Sequence, residues 1–127
     1  MFEAVKSGVI SSAAPASGVV RKGQFVMTAH IPKDPVTGDI VRGDVATQTR
    51  RVLDNLRIAM EGAGGTLADV MFIQVYLVDA ADAASVNAVW REVFAVPFPG
   101  RATVVVKELL APGIRIEIVA TAHMGPI

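Results

Sequence analysis

Arg101 follows Pro97-Phe98-Pro99-Gly100 and opens a strongly apolar run, Ala102-Thr103-Val104-Val105-Val106. A guanidinium at the head of such a run is costly to bury without a counter-charge, so something anionic is expected to meet it. The ordinary structural alternative is a strand-end arginine that extends its head into water. Glu117 poses the same question from the next run. It lies between Ile116 and Ile118, so alternation turns it towards the face shared with Arg115 and Val119. If the two runs pair as a hairpin, their charges could come together; otherwise Glu117 faces solvent or pairs with Lys107 or Arg115. Asn87 is the third residue of interest, a weak helix former beside Val86 and Trp90. Alone it reads as a surface polar group or a local backbone contact.

Other chemistries find no residues to carry them. Cys is absent, which removes disulfides, thiolate metal sites and Cys nucleophiles and points to a reducing compartment. The only histidines are His30 and His123, with no carboxylate–His spacing that resembles a metal site, so no metal is expected. No G-x-S-x-G elbow occurs, and Ser11, Ser12 and Ser17 belong to a loop. Gly62-x-Gly64-Gly65 follows a helical pattern instead of preceding one, so it is a helix cap and not a phosphate cradle.

The elements that must position Arg101, Glu117 and Asn87 follow from periodicity. Residues 4–9, 19–21 and 24–29 read as short strands, and residues 31–43, with Pro32, Pro35, Gly38 and Gly43, as a loop. From Asp44, a suitable N-cap, Val45, Thr49, Val52, Leu53, Leu56, Met60 and Ala63 recur at helical spacing until the Gly62–Gly65 stop. Residues 70–78 are β-branched and aromatic and predict a central strand. Residues 79–94 return to helical spacing, with Asp79 or Asp82 as cap. Residues 102–109 and 114–122, separated by Pro112-Gly113, predict a hairpin. The order implies an α+β domain over residues 1–127, a sheet with two helices on one face.

Composition adds a demand. A chain of 127 residues makes one domain that buries about two thirds of its unfolded surface. Net charge is zero, which disfavours nonspecific nucleic-acid binding. The chain is 52% hydrophobic and only 19% charged, yet no stretch approaches the roughly 20 apolar residues of a membrane span. Glu3 and Lys6 interrupt any secretory signal, so a cytoplasmic protein is expected. Two helices cover one side of an apolar sheet; the other side wants another subunit.

Together the motifs resemble the RidA/YjgF reactive-intermediate deaminase family, some of whose relatives carry an endoribonuclease L-PSP label. The resemblance rests on Asp44-Val45-Ala46-x-Gln48-Thr49-x-x-Val52-Leu53-Asp54-Asn55-Leu56, Asp69-Val70, Val78-Asp79, Val86-Asn87-x-x-Trp90-x-x-Phe94, Pro99-Gly100-Arg101-Ala102-Thr103-Val104 and Ile116-Glu117-Ile118 with Ala120. It covers nearly the whole chain. It implies a chorismate-mutase-like fold and a homotrimer with clefts between subunits. It also implies hydrolysis of reactive enamines and imines, such as 2-aminoacrylate, to 2-oxo acids and ammonia without metal or cofactor. By the same resemblance Arg101 holds the substrate carboxylate, Glu117 positions or activates water, and Asn87 lines the cleft. Thr28 and Ala29, in Thr28-Ala29-His30, stand where the family usually has Ser-Gly-Gln and would bind substrate.

The chain also departs from the family pattern. Thr103 replaces a Cys two residues after Arg101 and joins the substrate-binding set through its hydroxyl. Gly18-Val19-Val20 replaces Gly-Pro-Tyr, so a Tyr that closes the cleft is missing. His30 puts an imidazole beside the site, as an acid, base or anion ligand, or as a buried structural His. These changes point to a substrate other than 2-aminoacrylate, or to slow turnover. The alternative function is a noncatalytic trimer that binds a carboxylate or 2-oxo acid. A ribonuclease is disfavoured by zero net charge and 6% aromatics.

Overall fold

The structure is a computed structural model, and it describes residues 1–125; positions 126 and 127 of the expected domain lie outside the described residues. The first helix, α1, spans Val45–Ala63. The Asp44 carboxylate accepts from the Thr47 N–H at 2.8 Å and starts it. Gly64, at φ 97°, ends it in the left-handed conformation that a Cβ would penalise. Its inner face, Val52, Leu53, Leu56, Ala59 and Met60, is at most 1% exposed. The second helix, α2, covers Ala83–Val93 behind a 3-10 turn at Ala80–Asp82. Asp79 caps that turn through the Ala81 N–H, whereas Asp82 makes no cap bond and pairs with Arg115 at 2.8 Å.

Six strands form one sheet: β1 (Glu3–Ala4), β2 (Val19–Lys22), β3 (Phe25–His30), β4 (Val70–Leu77), β5 (Gly100–Val105) and β6 (Ile116–His123). Their order is β1-β2-β3-β6-β4-β5. The first strand is much shorter than the run 4–9 suggests: the Val5 N–H still donates to the Val19 carbonyl at 2.9 Å, and beyond it the chain runs past α1, where Gly8 lies close to Ile58.

The expected hairpin of the last two runs does not form. β5 pairs in parallel with β4, and β6 inserts between β3 and β4, antiparallel to both. The reason is the crossover. β4, α2 and β5 make a strand–helix–strand unit, whose helix returns the chain so that β5 lies parallel to β4 at the sheet edge. The ten residues from 106 to 115 are then long enough to carry the chain past β4.

Both helices lie on one face, as the pattern implies. Along β6, Ile116, Ile118, Ala120 and Ala122 are buried beneath them, while Glu117, Val119, Thr121 and His123 alternate onto the other, uncovered face. That open face carries Phe25, Met27, Phe72 and Val104, each about half exposed. Two carboxamides of α1 fix the loops around the sheet. Gln48, fully buried, donates to the carbonyls of Val41 (3.1 Å) and Gly113 (2.9 Å) and accepts from the Arg115 N–H at 2.7 Å. Asn55, also fully buried, donates to the Lys33 carbonyl at 2.9 Å. Gln48 thus holds the entry to β6, two residues before Glu117.

Candidate functional site

Arg101 sits opposite Ile73 in the β4–β5 register, so its side chain leaves the sheet on the helix side. There the guanidinium carbon lies 4.9 Å from the centroid of the Trp90 ring, a cation–π distance, and one of its N–H groups donates to Asn87 Oδ1. Asn87 and Trp90 are three residues apart on α2 and therefore share a helix face. Asn87, Trp90, Arg91, Phe98, Pro99 and Arg101 line a surface depression of about 310 Å³. Partial burial, and secondarily the Arg91 cation, push the Arg101 pKa below its ordinary value. The group remains a cation at any ordinary pH, but one that neighbouring carboxylates do nothing to offset. Trp90 Nε1, buried in the wall, has no hydrogen-bond partner among the described residues.

Glu117 is elsewhere. It sits opposite Tyr76 in the β4–β6 register, on the open face. Tyr76 is in turn level with Val104, three residues beyond Arg101 and on the other side of the sheet from it. Two strand spacings and three residues of rise separate the two backbones by roughly 14 Å. A hairpin that would join the charges is therefore replaced by a sheet that divides them. Arg115, the suggested structural partner of Glu117, is engaged by Asp82 and Asp79 instead. Among the described residues Glu117 has no ion pair, and burial raises its pKa above the ordinary Glu value.

The remaining candidates divide between the two faces. Thr103, opposite Val75, leaves the edge strand on the same side as Arg101 and is exposed. Ala29, opposite Val119, is on the open face, diagonal to Glu117 across β3 and β6. Thr28 alternates inward: its hydroxyl is buried and lies 2.7 Å from His30 Nε2. His30 is likewise buried, and desolvation, assisted by the Lys33 cation, lowers its pKa to about 4, so the ring is neutral at pH 7. Among the described residues no three His, Asp or Glu side chains come together as metal ligands.

Arg101 and Asn87, singled out separately in the sequence, are thus brought together. Trp90, named in the sequence only as a neighbour of Asn87, and Arg91, which sequence reasoning missed, belong to the same wall. Their signal was spacing: Asn87 and Arg91 are one helical turn apart, and Trp90 flanks the stripe they make.

A chain of this topology has known counterparts. The family model described as Endoribonuclease L-PSP matches residues 8–124. The RutC family protein PH0854 of Pyrococcus horikoshii is 43% identical over 110 residues, 86% of each chain. The E. coli yjgF gene product has a solved structure that superposes with a TM-score of 0.82 at 34% identity, over 91% of this chain and 93% of that one. E. coli TdcF, solved with bound serine, superposes with a TM-score of 0.86 at 29% identity, over 97% and 99%. No helix among the described residues is long and apolar enough to cross a membrane. The sheet order, the Arg101 strand start and a match across almost the whole chain have one reading: the chain belongs to the RidA/YjgF family.

Proposed function

We propose that this protein hydrolyses reactive enamine and imine forms of 2-amino acids to 2-oxo acids and ammonia, as a homotrimer with its sites between subunits. One observation carries the reading: two charged groups suited to the chemistry, Arg101 and Glu117, each without an ion-pair partner among the described residues, stand on opposite faces of one sheet. They can bear on one molecule only where copies of the chain meet. The open face supports such a meeting, since Phe25, Met27, Phe72 and Val104 form an apolar surface that water disfavours.

In this reaction the Arg101 fork takes the substrate carboxylate through two charge-assisted hydrogen bonds, with Asn87 and Trp90 fixing its plane. An enamine first gains a proton at its β-carbon and gives one up from its nitrogen to become the imine. Water then adds to the imine carbon while the nitrogen takes a proton. Glu117, whose carboxylate burial makes more basic than an ordinary Glu, accepts the water proton and passes it to that nitrogen; the new hydroxyl then gives up its proton by the same route as the C–N bond breaks, and ammonia and the 2-oxo acid leave. Thr103 and the backbone at Ala29 are the remaining substrate contacts, and Thr28 supports Ala29 from behind through His30. E. coli TdcF, solved with bound serine, supports a small amino acid as a ligand of this fold. The ribonuclease in the family description is not favoured, because a chain of zero net charge with 6% aromatics lacks a strand-tracking stripe with stacking platforms.

The test couples a dehydratase that releases 2-aminoacrylate or 2-iminobutanoate to this protein and follows 2-oxo acid and ammonia. Acceleration that Arg101→Ala abolishes is expected. No acceleration beyond buffer, equal in wild type and variant, removes the reading. Saturable binding of a 2-oxo acid that needs Arg101, without turnover, leaves the noncatalytic carboxylate-binding trimer in its place.

A further inference from the structure

Arg91 is the residue on the depression wall that hydrolysis of a simple imine does not use. It lies one turn after Asn87 on α2, and Arg91 and Arg101 line the same depression. Every arginine on the outer surface of α1 is answered by a carboxylate: Arg50 by Glu92, Arg51 by Asp54, and Arg57 by Asp54 and Glu61. Arg91 and Arg101 have no such partner among the described residues. Glu92, next to Arg91 in sequence, is not available to it. Successive helix residues point about 100° apart, and Glu92 is engaged through both oxygens by Arg50, at 3.0 Å each. A position in the last turn of a helix favours a cation, but it does not explain why that cation shares a depression with a second one. Two like charges left unanswered beside one opening are a cost to the free protein that an anionic ligand removes.

We infer that Arg91 selects a second anionic group on the substrate, so that the preferred substrates are dicarboxylic 2-imino acids, one carboxylate on Arg101 and the other on Arg91. The inference rests on the imine-hydrolase reading for the reaction but not for the binding, and binding can be read separately. The effect of one cation on the other agrees with it: after burial, the Arg91 charge also lowers the Arg101 pKa. Trp90 and Phe98, in the same depression, offer apolar surface to the substrate carbon chain. Arg91 is exposed at the mouth, so it can be replaced without loss of the fold.

The test titrates the product-like acids 2-oxobutanoate and 2-oxoglutarate into wild type, Arg91→Ala, Arg91→Glu and Arg101→Ala by calorimetry. Wild type is expected to bind 2-oxoglutarate at least about tenfold more tightly than 2-oxobutanoate. Arg91→Ala should bring the two together by weakening 2-oxoglutarate alone, Arg91→Glu should reverse the preference, and Arg101→Ala should weaken both. Equal affinities in wild type, a preference that survives Arg91→Ala, or no binding of either acid at millimolar concentration overturns the proposal. In parallel, imines released by amino-acid oxidases from glutamate and from 2-aminobutyrate are offered for hydrolysis. Faster turnover of the glutamate imine that falls to the level of the other in Arg91→Ala extends the preference to catalysis. If neither imine is turned over but the Arg91-dependent binding preference stands, the hydrolase reading fails and the ligand class is upheld.

Discussion

The two faces of the sheet are built from the same alternating strands and end in opposite conditions. On the helix side, Val26, Ile73, Val75, Leu77, Ile116 and Ile118 are completely buried. On the other side, Phe25, Met27, Phe72 and Val104 keep roughly half of their surface in water. The candidate site is divided in the same way. Arg101 is already ordered by Asn87 and Trp90 on the finished side, whereas Glu117 stands on the unfinished side with no ion-pair partner. The first half can be organised by one chain because α2 brings Asn87 and Trp90 to the edge strand. The second cannot, because none of the described residues of one chain covers the open face.

The sharpest way to break this comparison is to damage each face in turn. Leu56→Ala removes a fully buried side chain on the finished side and should cost about 3–5 kcal/mol of unfolding free energy, read from denaturant curves. Met27→Asp, placed on the half-exposed side, should leave the far-UV circular dichroism intact and instead lower the mass seen by light scattering. If Met27→Asp unfolds the chain as Leu56→Ala does, or a monomer is already found in the wild type, the open face is not a docking surface.

The finished face also contains a titratable group, and acid should find it. His30 is neutral in the fold, with a pKa lowered from 6.5 to about 4. Its folded pKa lies below its unfolded one, so its contribution to stability is complete above pH 6.5 and is lost as pH falls towards 4. The loss amounts to about 3 kcal/mol across that window, from the 1.36 kcal/mol that each unit represents. Unfolding midpoints measured at pH 7 and pH 4.5 should therefore diverge in wild type, and less so in His30→Gln, which keeps a hydrogen-bonding partner for Thr28 and does not titrate. Equal acid sensitivity in the two proteins would assign the effect to other groups.

Much of this division was legible in the sequence, and the part that was not has a definite cause. α1 could be read almost to the residue because its signals are local: a 3.6 period, Asp44 at one end and Gly64 at the other. The open apolar face was legible too, since two helices cannot cover two sides of a sheet. The neighbour of β5 was not legible. Residues 102–109 and 114–122 look like hairpin partners because Pro112-Gly113 lies between them, yet strand pairing is non-local, and the crossover through α2 sets β5 against β4. That one error concealed the separation of Arg101 from Glu117, because alternation gives a residue's face only once the register is known. The family resemblance named both residues without this separation. Trp90 and Arg91 were hidden for a related reason: which side of α2 meets the sheet edge depends on the same pairing.

On the finished half of the site, Arg101→Lys tests geometry at constant charge. The ammonium cannot make the two parallel hydrogen bonds of the guanidinium, nor stack flat on Trp90. With hydrogen bonds to charged groups worth about 1.5–3 kcal/mol, kcat/KM should fall by roughly one to two powers of ten, chiefly through KM. An unchanged KM would mean that Arg101 acts only as a positive charge.

On the unfinished half, Glu117→Gln separates the needs of folding from those of chemistry, with a smaller effect on stability. Burial raises the folded pKa of Glu117 above its unfolded value. The fold therefore favours the protonated carboxyl: this contribution is present below the unfolded pKa and is lost as pH rises through the folded one. Gln has the shape of the protonated acid and carries no charge, so the variant should unfold at the same midpoint as wild type near pH 4 and at a slightly higher one at pH 7.5, while turnover of an imine substrate is lost. A carboxylate retained at a stability cost is what a proton-transfer role requires. If Glu117→Gln is destabilised at pH 7.5, the carboxylate has a partner in the assembled protein and its charge serves the fold; if turnover also persists, the proton must be carried by another group.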